Sequence, residues 1–270
     1  MPRFYLPPDK CAEAPLFLTG REAHHAIHVL RLRRGDAVTV LDGAGGKFCC
    51  EVEEFDRDKV KLAVAQRFPI VPLPCQITLV QAIPKGKIIE SIIQKATELG
   101  VFRIVPLLTE RVVAARSDAK DLRHKTDKWR GVAIEAIKQC GSAWLPQIEP
   151  PATPRQFLAR KERFELPLIA SLQSDSRHPG EYFRAFRAKN ACQPRSICIW
   201  VGPEGDFTRD EVTLITSAGA APISLGRLIL RTETAAIYCL SIVNYEIDDT
   251  PVTDRLSSKE ESSCRRAGSG

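Results

Sequence analysis

The chain has 270 residues, 44% of them hydrophobic and 27% charged, with a formal net charge of +6. This is enough chain for one large or two smaller domains with a real core, and too little charge for a surface that holds nucleic acid by bulk attraction alone. No apolar run approaches the ~18 residues of a membrane span, and the start, Met1-Pro2-Arg3-Phe4-Tyr5-Leu6-Pro7-Pro8, is no secretory leader, so a cytoplasmic location without membrane contact is expected. The nine scattered cysteines, with no CxxC pair, argue for reduced thiols rather than a disulfide framework or a zinc site.

In chain order, residues 1–68 read as β-rich. Ala37 to Leu41, the glycine loop Asp42-Gly43-Ala44-Gly45-Gly46, and Lys47 to Val52 form a hairpin signal. Val60 to Ala65 alternates like a half-buried strand, and Glu22 to Leu32 is helix-like, with Ala23, Ile27 and Leu30 on one face. Short strands with one helix predict a small closed barrel. Phe68 to Pro74 is a proline-rich extended linker, which sets domain boundaries at 1–70 and 75–248. Beyond it strands and helices alternate. Ile77 to Ile83 is a strand; Ile88, Ile89, Ile92, Ile93, Ala96 and Leu99 make a helical face ended by Gly100; Val101 to Leu108 is a strand; and Ala119 to Gln139 is a helix. A proline-broken loop, Leu145 to Pro154, leads to strands at Leu166 to Leu172, Ile197 to Val201 and Pro222 to Leu225, and a last helix spans about Glu233 to Glu246. This alternation predicts an α/β domain with a mainly parallel sheet. Residues 249–270 read as a disordered tail.

The two glycine loops, Gly202-Pro203-Glu204-Gly205 and Leu225-Gly226, each follow a short apolar run. Placed at the carboxyl ends of strands in one sheet, they describe a ligand crevice better than plain turns. It is no phosphate cradle of a known type: Gly46-Lys47 is followed by Phe48 and lacks the first P-loop glycine, and no GxGxxG follows a strand. His24 and His28 lie one helical turn apart, but no further ligand at the right spacing completes a metal shell, so no metal is expected. There is no GxSxG, and Cys140 sits at a helix end without an evident histidine partner. Lys85 and Lys87 lie between a strand's end and a helix's start, on the ligand side of such a sheet.

Taken together these residues resemble the RsmE-type ribosomal RNA uracil-N3 methyltransferases of the SPOUT class. The resemblance covers nearly all of residues 1–248. It rests on His25-Ala26-Ile27-His28-Val29-Leu30-Arg31-Leu32 with Gly35-Asp36, on Lys85-Gly86-Lys87 with Gln94 to Gly100, and on Glu135-Ala136 with Gln139-Cys140-Gly141. Gly202 to Gly205 and Leu225-Gly226 with Leu230 to Ala235 complete the set. The resemblance implies a PUA-like β-barrel that binds RNA, followed by a trefoil-knotted α/β domain. It also implies S-adenosylmethionine bent in the knot, a homodimer, and a target uridine in the 16S ribosomal RNA of the small subunit.

Carried over by position, Leu172, Gly202, Pro203, Glu204, Gly205, Leu225, Gly226, Leu230 and Thr232 would bind the cofactor. Arg231 is the expected stabiliser of charge on the uracil, with Glu204 and Glu233 as base or as orienting carboxylates. Glu233 also reads as a helix N-terminal charge that complements the dipole. Arg3, His25, Arg31, Lys85 and Lys87 would grip RNA, largely through phosphates. Two departures stand out: Ser142-Ala143-Trp144 replaces a common arginine context, and Asp206 stands where glycine often follows Gly205. A SPOUT-class enzyme with another RNA target and a non-catalytic RNA-binding protein are the alternative readings.

Overall fold

The computed structural model describes residues 1–111, 119–172 and 176–248, and the chain divides into two compact units. One contains Met1–Pro72 together with Ile137–Leu145; the other contains Leu73–Ala136 and resumes at Pro146. The tail read as disordered, residues 249–270, lies outside the described residues.

In the first unit five strands, β1 (Arg3–Tyr5), β2 (Leu16–Thr19), β3 (Ala37–Leu41), β4 (Gly46–Asp56) and β5 (Lys59–Pro69), form one sheet in the order β1-β3-β4-β5-β2. The expected hairpin is β3–β4, antiparallel from Ala37↔Glu51 to Leu41↔Lys47. Its loop is held by Asp42, whose Oδ1 accepts from the amides of Ala44 and Gly46 at 2.7 Å each, the local bond that makes aspartate a turn former. Register breaks at Cys49/Cys50 and Val52/Glu54 bend the long β4–β5 ribbon. The sheet curls around Phe4, Leu16, Leu18, Val38, Val40, Val52, Val60 and Leu62, but β1 and β2 remain its edges, so the barrel is curled rather than closed by hydrogen bonds.

Two further expectations are modified here. The helix expected over Glu22 to Leu32 is α1 (Gly20–His24) followed by a wider turn over His25–Val29, where the Leu30 amide reaches back to the His25 carbonyl at 2.9 Å. The extended stretch Phe68 to Pro74 begins as strand, since β5 runs to Pro69 opposite Gly46. Residues 137–145 lie against the β3–β4 loop: Gly45 donates to the Ala143 carbonyl, Leu145 to that of Gly43, and the Trp144 indole to that of Ile70, all at 2.9–3.0 Å. A helical repeat in sequence carries no information about which sheet the helix's end returns to.

The second unit is a six-stranded sheet, β6 (Gln76–Ala82), β7 (Arg103–Leu107), β8 (Gln147–Ile148), β9 (Leu166–Ala170), β10 (Ser196–Val201) and β11 (Ala221–Ile223). Its order is β11-β9-β10-β6-β7-β8, and each neighbouring pair is parallel. Helices α2 (Ile88–Glu98), α3 (Ala119–Cys140), α4 (Pro154–Ala159), α5 (Pro179–Asn190), α6 (Arg209–Ser217) and α7 (Thr232–Ile247) connect and cover it. Helix α2 buries Ile89, Ile92, Ile93 and Ala96 and ends in a Schellman motif, with Val101 donating to Ala96 and Gly100 to Thr97, both at 3.0 Å. From the sheet's edge at β11 the chain returns to its middle, where α7 packs on α2 and β10 and the Asn244 side chain donates to the Leu99 carbonyl at 2.8 Å.

Cys11, Cys50, Cys75, Cys198 and Cys239 are buried free thiols, and Cys140 and Cys192 are exposed ones. Burial pushes the Cys50, Cys75 and Cys239 thiols up to about 12, and burial with the Asp42 charge pushes Cys11 up to about 11. The unfolded chain releases these protons near the ordinary value of 9.0, while the folded chain keeps them. Stability is therefore full below pH 9 and falls as pH rises from 9 towards 12. Urea unfolding at pH 8, 9.5 and 10.5 should show this decline; a flat profile would mean that the thiols are solvated.

Candidate functional site

The carboxyl ends of β9, β10 and β11 open into one cavity of about 320 Å³, a volume in the range of small-molecule sites. Each strand delivers one wall. Ala170, Ser171 and Leu172 follow β9; Val201 to Glu204 and Asp206 follow β10; Ser224 to Leu230 follow β11; Thr232 and Ala235 belong to α7. Of the residues expected to bind a cofactor, Leu172, Gly202, Pro203, Glu204, Leu225, Gly226, Leu230 and Thr232 lie in this lining, and Gly205 does not.

The first loop is fixed by its own hydrogen bonds and by neighbouring strands. Asp206 donates its amide to the Pro203 carbonyl at 2.9 Å, and the Gly205 carbonyl accepts from Arg111. Glu204 lines the cavity while its Oε1 accepts the Lys85 amide at 3.0 Å, which ties the turn after β6 to the turn after β10. In the second loop Gly226 has φ of +113°, a conformation that a side chain would strain, and Ser224 spans it by exchanging hydrogen bonds with Gly226 at 3.4–3.5 Å. The loops meet at Thr232, the first residue of α7: its buried hydroxyl donates to the Gly202 carbonyl at 2.6 Å and accepts from Gln81 Nε2 at 2.9 Å.

The candidate reaction residues are separated by this geometry. Arg231 is the N-cap of α7, exposed and without a capping side-chain bond, one residue from two cavity-lining neighbours. Glu204 is in the cavity; Glu233 is in the first turn of α7, outside the lining, where it complements the helix dipole. Among the RNA candidates, Lys85 and Lys87 are exposed, on either side of Gly86, in the β6–α2 turn. Arg31 is exposed at φ of 52°, and the half-buried His25 ring packs edge-on to Phe4 at 6.1 Å. Arg3 is engaged with the end of α3: its guanidinium donates to the carbonyls of Lys138 and Gln139 at 3.2 and 2.8 Å. A Cβ on Gly141 would lie 3.2 Å from that guanidinium, which explains the glycine of Gln139-Cys140-Gly141 as a close approach.

Sequence reasoning missed several members of the site. Val201, Arg227, Leu228, Ile229 and Ala235 line the cavity but looked like ordinary strand, loop or helix residues. Gln81 had a visible signal, a glutamine inside an apolar strand, and it is fully buried. No group of three or more His, Cys, Asp or Glu among the described residues is arranged to hold a metal, and no described helix is long and apolar enough to cross a membrane.

The chain matches the model of an RNA methyltransferase domain over residues 71–244 and that of an RNA methyltransferase PUA domain over residues 18–65. It is 33% identical to the ribosomal RNA small subunit methyltransferase E of Bacillus subtilis, across 92% of this chain and 98% of that protein. Its fold is similar to a methyltransferase of Legionella pneumophila solved with bound S-adenosylmethionine, with TM-score 0.79, 32% identity, and coverage of 90% and 96% of the two chains. It is equally similar, at TM-score 0.79, to a ribosomal RNA small subunit methyltransferase E of Neisseria gonorrhoeae bound to S-adenosylmethionine, with 28% identity over 91% and 97%.

Asp206 gives the departure at this loop a physical reason. It holds φ of 62°, and its Oδ1 accepts the Phe207 amide at 2.8 Å, so aspartate serves where glycine would otherwise be needed. Asp206→Val should destabilise the protein by about 1–2 kcal/mol, the strain of a left-handed branched residue, while Asp206→Gly should stay near the parent. Denaturant unfolding measures both, and a valine variant of parental stability would refute the constraint.

Proposed function

The chain belongs to the RNA methyltransferase family that includes the ribosomal RNA small subunit methyltransferases E, and from that premise we propose that it methylates N3 of a uridine in the 16S RNA of the small ribosomal subunit, using S-adenosylmethionine. The observation that carries the reading is the cavity itself, walled by both glycine loops at three adjacent strand ends. In this reading residues 1–70 bind RNA, residues 75–248 carry out the transfer, and the return from β11 to α7 is the crossing that knots a SPOUT-type domain. The enzyme works in the cytoplasm.

The cavity suits this cofactor on its own chemistry. Leu172, Leu225 and Leu230 offer apolar walls for a flat base, Gly202 and Gly226 leave the backbone bare, and no lysine stands among the described residues of the lining. Bound there, S-adenosylmethionine supplies a methyl carbon activated by a sulfonium. The remaining work falls to this chain's own residues. Uracil N3 is protonated and paired in a duplex, so the base must be unstacked and held in line, which is positioning work. Arg231, exposed at the cavity's edge, stabilises the charge that develops on the uracil oxygens as the N3 proton leaves. Glu204, fixed by the Lys85 amide, is the carboxylate placed to accept that proton or to orient Arg231. Lys85, Lys87, Arg31 and His25 hold the RNA backbone.

A second copy completes the site. Between Leu228 and Tyr245 four large side chains stand in the open: Leu228 (79% exposed), Ile229 (81%), Tyr238 (44%) and Tyr245 (83%). Apolar surface concentrated in one segment of a soluble unit favours a self-complementary partner. Light scattering should give a mass of about twice 30.0 kDa, and Tyr245→Asp should shift it to that of a single chain; a monomeric parent refutes the dimer.

Incubation with labelled S-adenosylmethionine and small ribosomal subunits, followed by nucleoside mapping, should place the label on a uridine N3. Arg231→Ala should lower the rate about 100-fold, in line with loss of an oxyanion-stabilising group, with cofactor affinity kept in calorimetry. Label on another base or on ribose would refute the proposed reaction, and lost cofactor affinity in the variant would make Arg231 structural.

A further inference from the structure

Gln81 is a buried polar side chain that the mechanism above leaves unused. Gln81 lies at the carboxyl end of β6, in register with Val201 of β10, the residue before the first loop. It is fully buried, and its Nε2 donates to the Ala82 carbonyl and to Thr232 Oγ1, both at 2.9 Å. Its Oε1 is buried and has no hydrogen-bond partner among the described residues.

These bonds fix the amide's orientation. A carbonyl cannot donate, so Ala82 demands the NH₂ end of Gln81, and the same end then faces Thr232. A threonine hydroxyl has one proton; with Gln81 donating to its oxygen, that proton is directed to the Gly202 carbonyl at 2.6 Å. Gln81 thus sets the direction of a relay from β6, through the first residue of α7, to the first residue of the cavity loop. Both Thr232 and Gly202 line the cavity, and Arg231 precedes Thr232 directly.

The stranded Oε1 separates this role from mere packing. A buried acceptor without a partner weakens a fold, and an apolar side chain of similar length would avoid it. The arrangement gives stability little; what it gives is a single position for Thr232 and Gly202. We propose that Gln81 is a positioning residue for the methyl transfer, one that never touches substrate and holds the two cofactor loops in register through Thr232. The inference rests on the cavity being the cofactor site.

The test is Gln81→Met, which keeps the length and removes the amide. Calorimetry should show cofactor affinity reduced about tenfold, with a melting temperature close to the parent's. Thr232→Val breaks the same relay from its other end and should weaken binding similarly. The double variant should lose no more than the worse single variant, because one relay is broken once. Unchanged affinity in Gln81→Met, or fully additive losses in the double variant, would overturn the proposal. If Gln81→Met does not fold, Thr232→Val decides alone: parental affinity in it overturns the relay. A parent that fails to bind S-adenosylmethionine would instead sink the proposed function, before any variant is compared.

Discussion

The position at which α7 begins governs the rest of the site. The helix comes back from a sheet edge to the sheet's centre, and its first residue, Thr232, is 3% exposed and bonded to the Gly202 carbonyl across 2.6 Å. A hydrogen bond between buried groups has no water to replace it, so breaking it strands both partners. That one contact brings loops from β10 and β11 to a common wall although β9 lies between those strands. It also sets the place of Arg231, since an N-cap residue can only stand where the helix starts.

Much of this was legible in the sequence, and the limits have physical causes. Strand ends marked by apolar, β-branched runs and followed by glycine gave the cavity's two main walls, because period and punctuation are local signals. The short edge strands β1 and β2 were not seen: with three and four residues they have too little alternation to stand out. Nor could strand order be read. The interposition of β10 between β9 and β6 depends on long-range pairing, and only that pairing places Gln81 beside Val201. Asp206 looked like a small loop change and is a left-handed turn residue, a property of the backbone angle that the residue's name only permits.

The charges divide along the same lines. Of the cations expected to meet RNA, Arg3 donates to two carbonyls at the end of α3, whereas Lys85, Lys87 and Arg31 are exposed. Helix-end carbonyls attract a guanidinium for the same reason that phosphates do, as fixed negative charge, so sequence cannot tell the two uses apart.

The cavity's economy of charge is itself informative. A site for a nucleoside triphosphate must answer several negative charges, and does so with lysine and a cradle of amides. Here the lining combines aliphatic side chains with bare glycine backbone, and its ionisable members, Glu204, Asp206 and Arg227, come from the loops. Glu204 and Asp206 are both committed to backbone amides, at Lys85 and Phe207. Carboxylates held in this way act first as braces that hold the turns' shape. Shape, more than charge, is then what the cavity offers a ligand, and shape here depends on a threonine hydroxyl being kept in one direction.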